Sequence, residues 1–181
     1  MYVGSSNSDE LNIKNVVFDS NTATNGGAIY TLSTELVIEG STLMNNVANF
    51  FLGAYPSFSD HQGSGGGIHA NKSPITFGMD SQAVGNRALN LGLNVDDDCN
   101  KHLSNNGGAF YMADSISILT LTKDFSISDN IAGCYGGGIF ASSFFHLGDA
   151  GSYPVNNHNS SGEVDNVVIN KLSIDPLVAC P

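Results

Sequence analysis

The sequence predicts an all-β chain wound as a right-handed parallel β-helix of about four to five coils, with long insertions at its corners. Three observations carry that expectation. A Gly-Gly-small-apolar segment recurs as "GGAI" at Gly26 to Ile29, "GGGI" at Gly65 to Ile68, "GGAF" at Gly107 to Phe110 and "GGGI" at Gly136 to Ile139. An Asn-x-Ala signature recurs in the same order, at Asn21, Asn46, Asn86 and Asn130. Composition supplies the third: the 181 residues hold only 6 Lys and Arg and no Trp, and amphipathic helical periodicity is hard to find. Short β-branched runs such as "ELVIEG", "ISILTLT" and "VDNVVI" read as strands instead.

The elements follow from the repeat. Apart from the insertions, one unit is about 25 residues with two or three short strands, as between Asn21 and Asn46. With no helix in the unit, one coil per repeat stacks each strand about 4.8 Å above its equivalent. The paired glycines Gly26–Gly27, Gly65–Gly66, Gly107–Gly108 and Gly136–Gly137 mark sharp corners, where positive φ costs glycine little. Asn21, Asn46, Asn86 and Asn130 stack at an equivalent corner and form a ladder of amides. The Ala two places after each Asn is small because it points into a tight interior. Three residues before each Asn stands Phe18, Leu43, Ala83 or Ile127. The whole chain, 1–181, reads as one domain: a repeat core over about 16–141, then a long loop and a last strand or cap over 142–181.

The run "FDSNTATNGGAIY" joins Phe18-x-x-Asn21 to Gly26-Gly27-Ala28-Ile29. It resembles the repeat of the chlamydial polymorphic outer membrane proteins, whose F-x-x-N and G-G-A-I motifs lie on a β-helical passenger domain. The resemblance spans roughly Val16 to Ala141, and later copies depart from it with Leu43 and Ala83 in place of Phe and with "GGGI". It implies a secreted, adhesive, non-catalytic protein at the cell surface.

Two insertions leave the same corner of consecutive coils, between Ala48 and Gly65 and between Ala88 and Gly107. Loops on a rigid scaffold are where recognition resides. The first holds Phe50, Phe51, Tyr55, Phe58 and His61, an aromatic set that either contacts sugars or protein or packs against the wall. The second holds Asp96, Asp97 and Asp98, a weak Ca²⁺ candidate, since consecutive side chains diverge and a solvated acidic loop explains them as well. Strand alternation places Ile29, Ile68, Phe110 and Ile139 inward and Tyr30, His69, Tyr111 and Phe140 outward as an aromatic ladder. That stripe is either a contact surface or the bed of another chain segment.

Neighbouring corners bring Cys99 and Cys134 within disulfide range, which suits an extracellular setting, and leave Cys180 for an intermolecular bond. Sequons at Asn71 and Asn159 suit glycosylation in a eukaryotic source. The net charge of -11 argues against nucleic acid and anionic membranes as partners. No apolar run reaches the ~18 residues of a membrane helix.

The expected function is therefore adhesion or assembly outside the cell, through protein or glycan contacts and without a cofactor. The alternative is a structural subunit that stacks end to end, with "LNIKNVVF" and "VDNVVINKLSI" as matching edges. A polysaccharide lyase or glycosidase is the weakest reading. Glycosidases need two placed carboxylates, and lyases need cations that this chain scarcely has. His69 is its best lone proton carrier.

Overall fold

The computed structural model describes residues 1–4, 10–50, 63–90, 106–142, 145–147, 154–159, 161–164 and 166–169. These residues form a parallel β-helix with four strands per coil, one or two more than the spacing suggests. Coil 1 comprises β1 (Tyr2–Gly4), β2 (Glu10–Lys14), β3 (Val17–Asp19) and β4 (Thr22–Ala23). Coil 2 comprises β5 (Ile29–Leu32), β6 (Glu35–Glu39), β7 (Thr42–Met44) and β8 (Val47–Phe50). Coil 3 repeats the pattern with β9 (Ile68–Asn71), β10 (Ile75–Gly78), β11 (Gln82–Val84) and β12 (Arg87–Asn90). Coil 4 has β13 (Phe110–Met112), β14 (Leu119–Leu121), β15 (Ser126–Ser128) and β16 (Ile131–Ala132). A fifth turn adds β17 (Ile139–Ala141), β18 (Phe145–Leu147) and β19 (His158–Asn159), and β20 (Val167–Ile169) follows.

Equivalent strands stack into four walls, here A to D in the order that the chain meets them. Every ladder between named strands is parallel, and the repeat residues are in register. Ile29 lies beside Ile68, Phe110 beside Ile139, and Ala48 between Ala23 and Ala88. The extra strand escapes a count from sequence because the B–C corner is a short bend, "EGST" at Glu39 to Thr42, inside one β-rich run.

Inward side chains from walls A, B and C fill the core, among them Ile29, Leu36, Ile38, Leu43, Ile68 and Phe110, all fully buried. Wall D contributes the buried Ala48, Ala88 and Ala132 instead. The glycine pairs explain why. At the first of each pair φ is positive, 71° at Gly65, and a Cβ there would meet the Ile68 carbonyl. The second of each pair has no positive φ, contrary to the simple expectation, and needs glycine for another reason. A Cβ on Gly66 would lie 2.5 Å from the backbone N of Arg87, on wall D of the same coil. Walls A and D thus meet backbone to backbone, and only Ala fits beside the pinch.

Candidate functional site

Each corner carries its own side-chain relay. At the C–D corner the Asn21 N–H and Nδ2 donate to Asn46 Oδ1 at 3.0 and 2.9 Å. Asn46 does the same to Asn86 at 3.1 and 2.9 Å, and Asn86 to Asn130 at 2.8 and 2.9 Å. The ladder continues beyond the repeats, from Asn130 to Asn157 and from Asn157 to Asn166. The remaining amide hydrogen reaches back one coil, from Asn46 to the Phe18 carbonyl, from Asn86 to Leu43 and from Asn130 to Ala83. This gives the F-x-x-N motif a physical meaning. The residue three before each Asn fills the core with its side chain and accepts from the next coil's Asn with its carbonyl. The residue just before each ladder Asn is left-handed: Ser20, Asn45, Gly85, Asp129 and Asn156 have φ between 55° and 66°.

Hydroxyls serve two other corners. Thr34 N–H donates to Ser73 Oγ and Ser73 N–H to Ser117 Oγ, both at 3.1 Å, at the A–B corner. Val16 N–H donates to Ser41 Oγ and Ser41 N–H to Ser81 Oγ at the B–C corner. At the D–A corner the direction reverses. Ser64 N–H donates back to Asn25 Oδ1, Asn106 N–H to Ser64 Oγ, and Tyr135 N–H to Asn106 Oδ1. The sequence did not distinguish these seryl and threonyl rungs from the chain's many other Ser and Thr residues.

On the outer face of wall A the aromatic residues stack as one column. Ring centroids are 5.6 Å apart for Tyr2–Tyr30, 5.0 Å for Tyr30–His69, 4.9 Å for His69–Tyr111 and 5.3 Å for Tyr111–Phe140. Only its N-terminal end is open: Tyr2 is 68% exposed, Tyr30 is half-buried, and His69, Tyr111 and Phe140 are 2%, 0% and 3% exposed. An exposed contact stripe is therefore corrected to a column buried over three of its five members. Burial, and then the negative charge of Asp114, push the Tyr111 phenol well above its ordinary range.

The two large insertions leave after β8 and β12 and return at Gly63 and Asn106, on the D–A corner of consecutive coils. Phe50 ends β8. Phe51, Tyr55, Phe58, His61, Asp96, Asp97, Asp98, Cys99 and Cys180 lie outside the described residues. Cys134 is disulfide-bonded and sits on the same D–A corner, two residues before Gly136. Asn71 ends β9 half-buried. The Asn159 side chain is engaged in a turn, its Oδ1 accepting from Ser161 N–H and Glu163 N–H at 3.1 and 3.0 Å. No group of three or more His, Cys, Asp or Glu able to hold a metal occurs among the described residues.

The unit from β3 through the C–D and D–A corners into β5 is what known families share with this chain. Residues 15–32 match the Chlamydia polymorphic membrane protein repeat. The chain thus carries a repeat of the polymorphic membrane protein type, and the match holds the first Asn rung and the first glycine pair. No curated protein and no solved structure matches the chain.

Proposed function

We propose that this protein is a non-catalytic cell-surface solenoid that adheres to protein or glycan through the insertions on its D–A corner. The observation that carries the reading is placement. Two long insertions leave one corner of adjacent coils, on a scaffold whose every other corner is closed by short relays. A polymorphic membrane protein repeat at residues 15–32 favours a surface location. The disulfide at Cys134, on the same corner, suits an oxidising exterior. His69, the residue best suited by type to carry a proton, is buried between Tyr30 and Tyr111. A cleft of about 400 Å³ on wall B gathers Glu39, Asp80 and Asp124, but Lys123 stands beside Asp124 at 3.9 Å.

Coil 1 supplies the control, because it crosses the D–A corner from Ala23 to Gly26 with two residues, Thr24 and Asn25. Replacing 51–62 and 91–105 with that short connection leaves the walls intact. The expected result on glycan and host-protein arrays is binding by the parent chain and loss of binding by the trimmed chain. Binding that survives the trimming, or turnover of any polysaccharide in the array, overturns the reading.

A further inference from the structure

The two ends of the solenoid differ. At the C-terminal end the edge of wall D is covered, because the chain turns back after β19 and His158 bridges Val164 in antiparallel sense. Asn166 ends the amide ladder there, accepting both Asn157 donors at 3.1 Å. At the N-terminal end, β1, β2, β3 and β4 each pair with one strand alone, that of coil 2. The core is half-open there, with Val3, Leu11 and Phe18 only partly buried against it. Tyr2 and Val17 are 68% and 65% exposed, and Tyr2 stacks on Tyr30 with one face of its ring. Asn21 gives its donors to Asn46, while its Oδ1 accepts no hydrogen bond among the described residues.

We propose that this N-terminal face is a dimer interface that seats the same face of a second copy about a two-fold axis across the solenoid. An exposed row of strand edges over an open apolar core is a template for another chain. Head-to-tail stacking would need four matching free edges at the other end, and the edge of wall D is taken. The expected match of "LNIKNVVF" with "VDNVVINKLSI" also fails in register: the first lies in walls B and C, whereas Val167 to Ile169 lies in wall A. A two-fold contact has neither difficulty. It reverses strand direction, so each edge meets an antiparallel partner, the slightly stronger ladder. It also joins the two half-open cores and closes at two copies. The inference is independent of adhesion, since it uses the end of the solenoid and not the D–A corner.

The test is sedimentation velocity on the intact chain over a wide dilution series, with amide hydrogen exchange on the same samples. The expected species has twice the 18.9 kDa chain mass and protected amides in β1 to β4. The Tyr2→Lys/Val17→Lys double variant is expected to sediment as single chains, losing protection in β1 to β4 but keeping it in β9 to β16. Met79→Lys, on the side wall and 59% exposed, is expected to remain a dimer. Single chains for the parent at every concentration, open-ended rods, or a dimer that survives the double substitution would each overturn the proposal.

Discussion

Asn86 and Asn130, 44 residues apart, are joined by two hydrogen bonds into a single oxygen: the backbone N–H and Nδ2 of Asn86 both donate to Asn130 Oδ1. Both residues are fully buried, so neither amide can turn to water for a substitute. One asparagine per coil thereby satisfies two donors below it, a carbonyl one coil back and its own lone pairs.

Removing a middle rung is therefore costly. Asn86→Ala strands the Asn46 donors and the Leu43 carbonyl in the interior, each worth about 1–3 kcal/mol. The total loss expected from urea unfolding is at least about 3 kcal/mol, because several groups are orphaned together. Asn21→Ala, at the exposed end, is expected to cost about 1 kcal/mol. Equal losses at the two sites would count against a ladder that strengthens with burial.

The second glycine of a pair is predicted to be as sensitive as the first. Gly66→Ala drives a Cβ into the Arg87 backbone, which belongs to a wall and cannot rotate away. The expected destabilisation is about 3 kcal/mol, the upper part of the overpacking range. Ala109→Gly, at the third position where Gly67 stands in another coil, is expected to cost only about 1 kcal/mol in the same thermal melts.

Asp114 gives a pH dependence on the acid side. Burial alone would raise its carboxyl, but hydrogen bonds from the Lys72, Ile116 and Ser117 N–H groups and the Ser117 hydroxyl outweigh it and hold the group below its ordinary value. A lowered folded value means that stability is full above the unfolded value of about 4 and is lost as pH falls through the folded one. Melting temperature should fall in that window for the parent chain and fall less steeply for Asp114→Asn.

Tyr111 gives the opposite sign at the other extreme. Its folded value is raised, first by burial and then by Asp114, so its contribution is full below the unfolded value of about 10 and is lost as pH climbs beyond it. Tyr111→Phe should flatten that alkaline loss in circular dichroism titrations.

The disulfide at Cys134 is expected to run to Cys99. Non-reducing peptide mapping should find that pair, Cys180→Ser should leave it intact, and Cys99→Ser should abolish it. A Cys134–Cys180 linkage would show that the corner is tied to the chain's end instead.

How much of this was legible in the sequence depends on how locally each feature is determined. The Asn rungs and the glycine pairs were readable because a left-handed bend or a backbone contact permits few residue types, so the same letters return in each coil. Asn157 and Asn166 were not, since His158 and Asn159 stand where an Asn-x-Ala copy would continue and no glycine pair follows. The hydroxyl relays were hidden by the abundance of Ser and Thr, any of which fits a bend. Burial of His69, Tyr111 and Phe140 was hidden for another reason. Alternation says which face a side chain takes, whereas its cover comes from residues distant in sequence.

The D–A corner has one further consequence. Coil 1 crosses it directly, coils 2 and 3 leave it for 51–62 and 91–105, and all three resume through the same relay from Asn25 to Ser64 to Asn106. Register is thus restored after the excursion, whatever its length, by groups that the excursion does not contain. The corner behaves as a cassette port: foreign peptides of varied size can be exchanged there while the four walls keep their pitch. Lineages could diversify what the solenoid displays without re-evolving what holds it up.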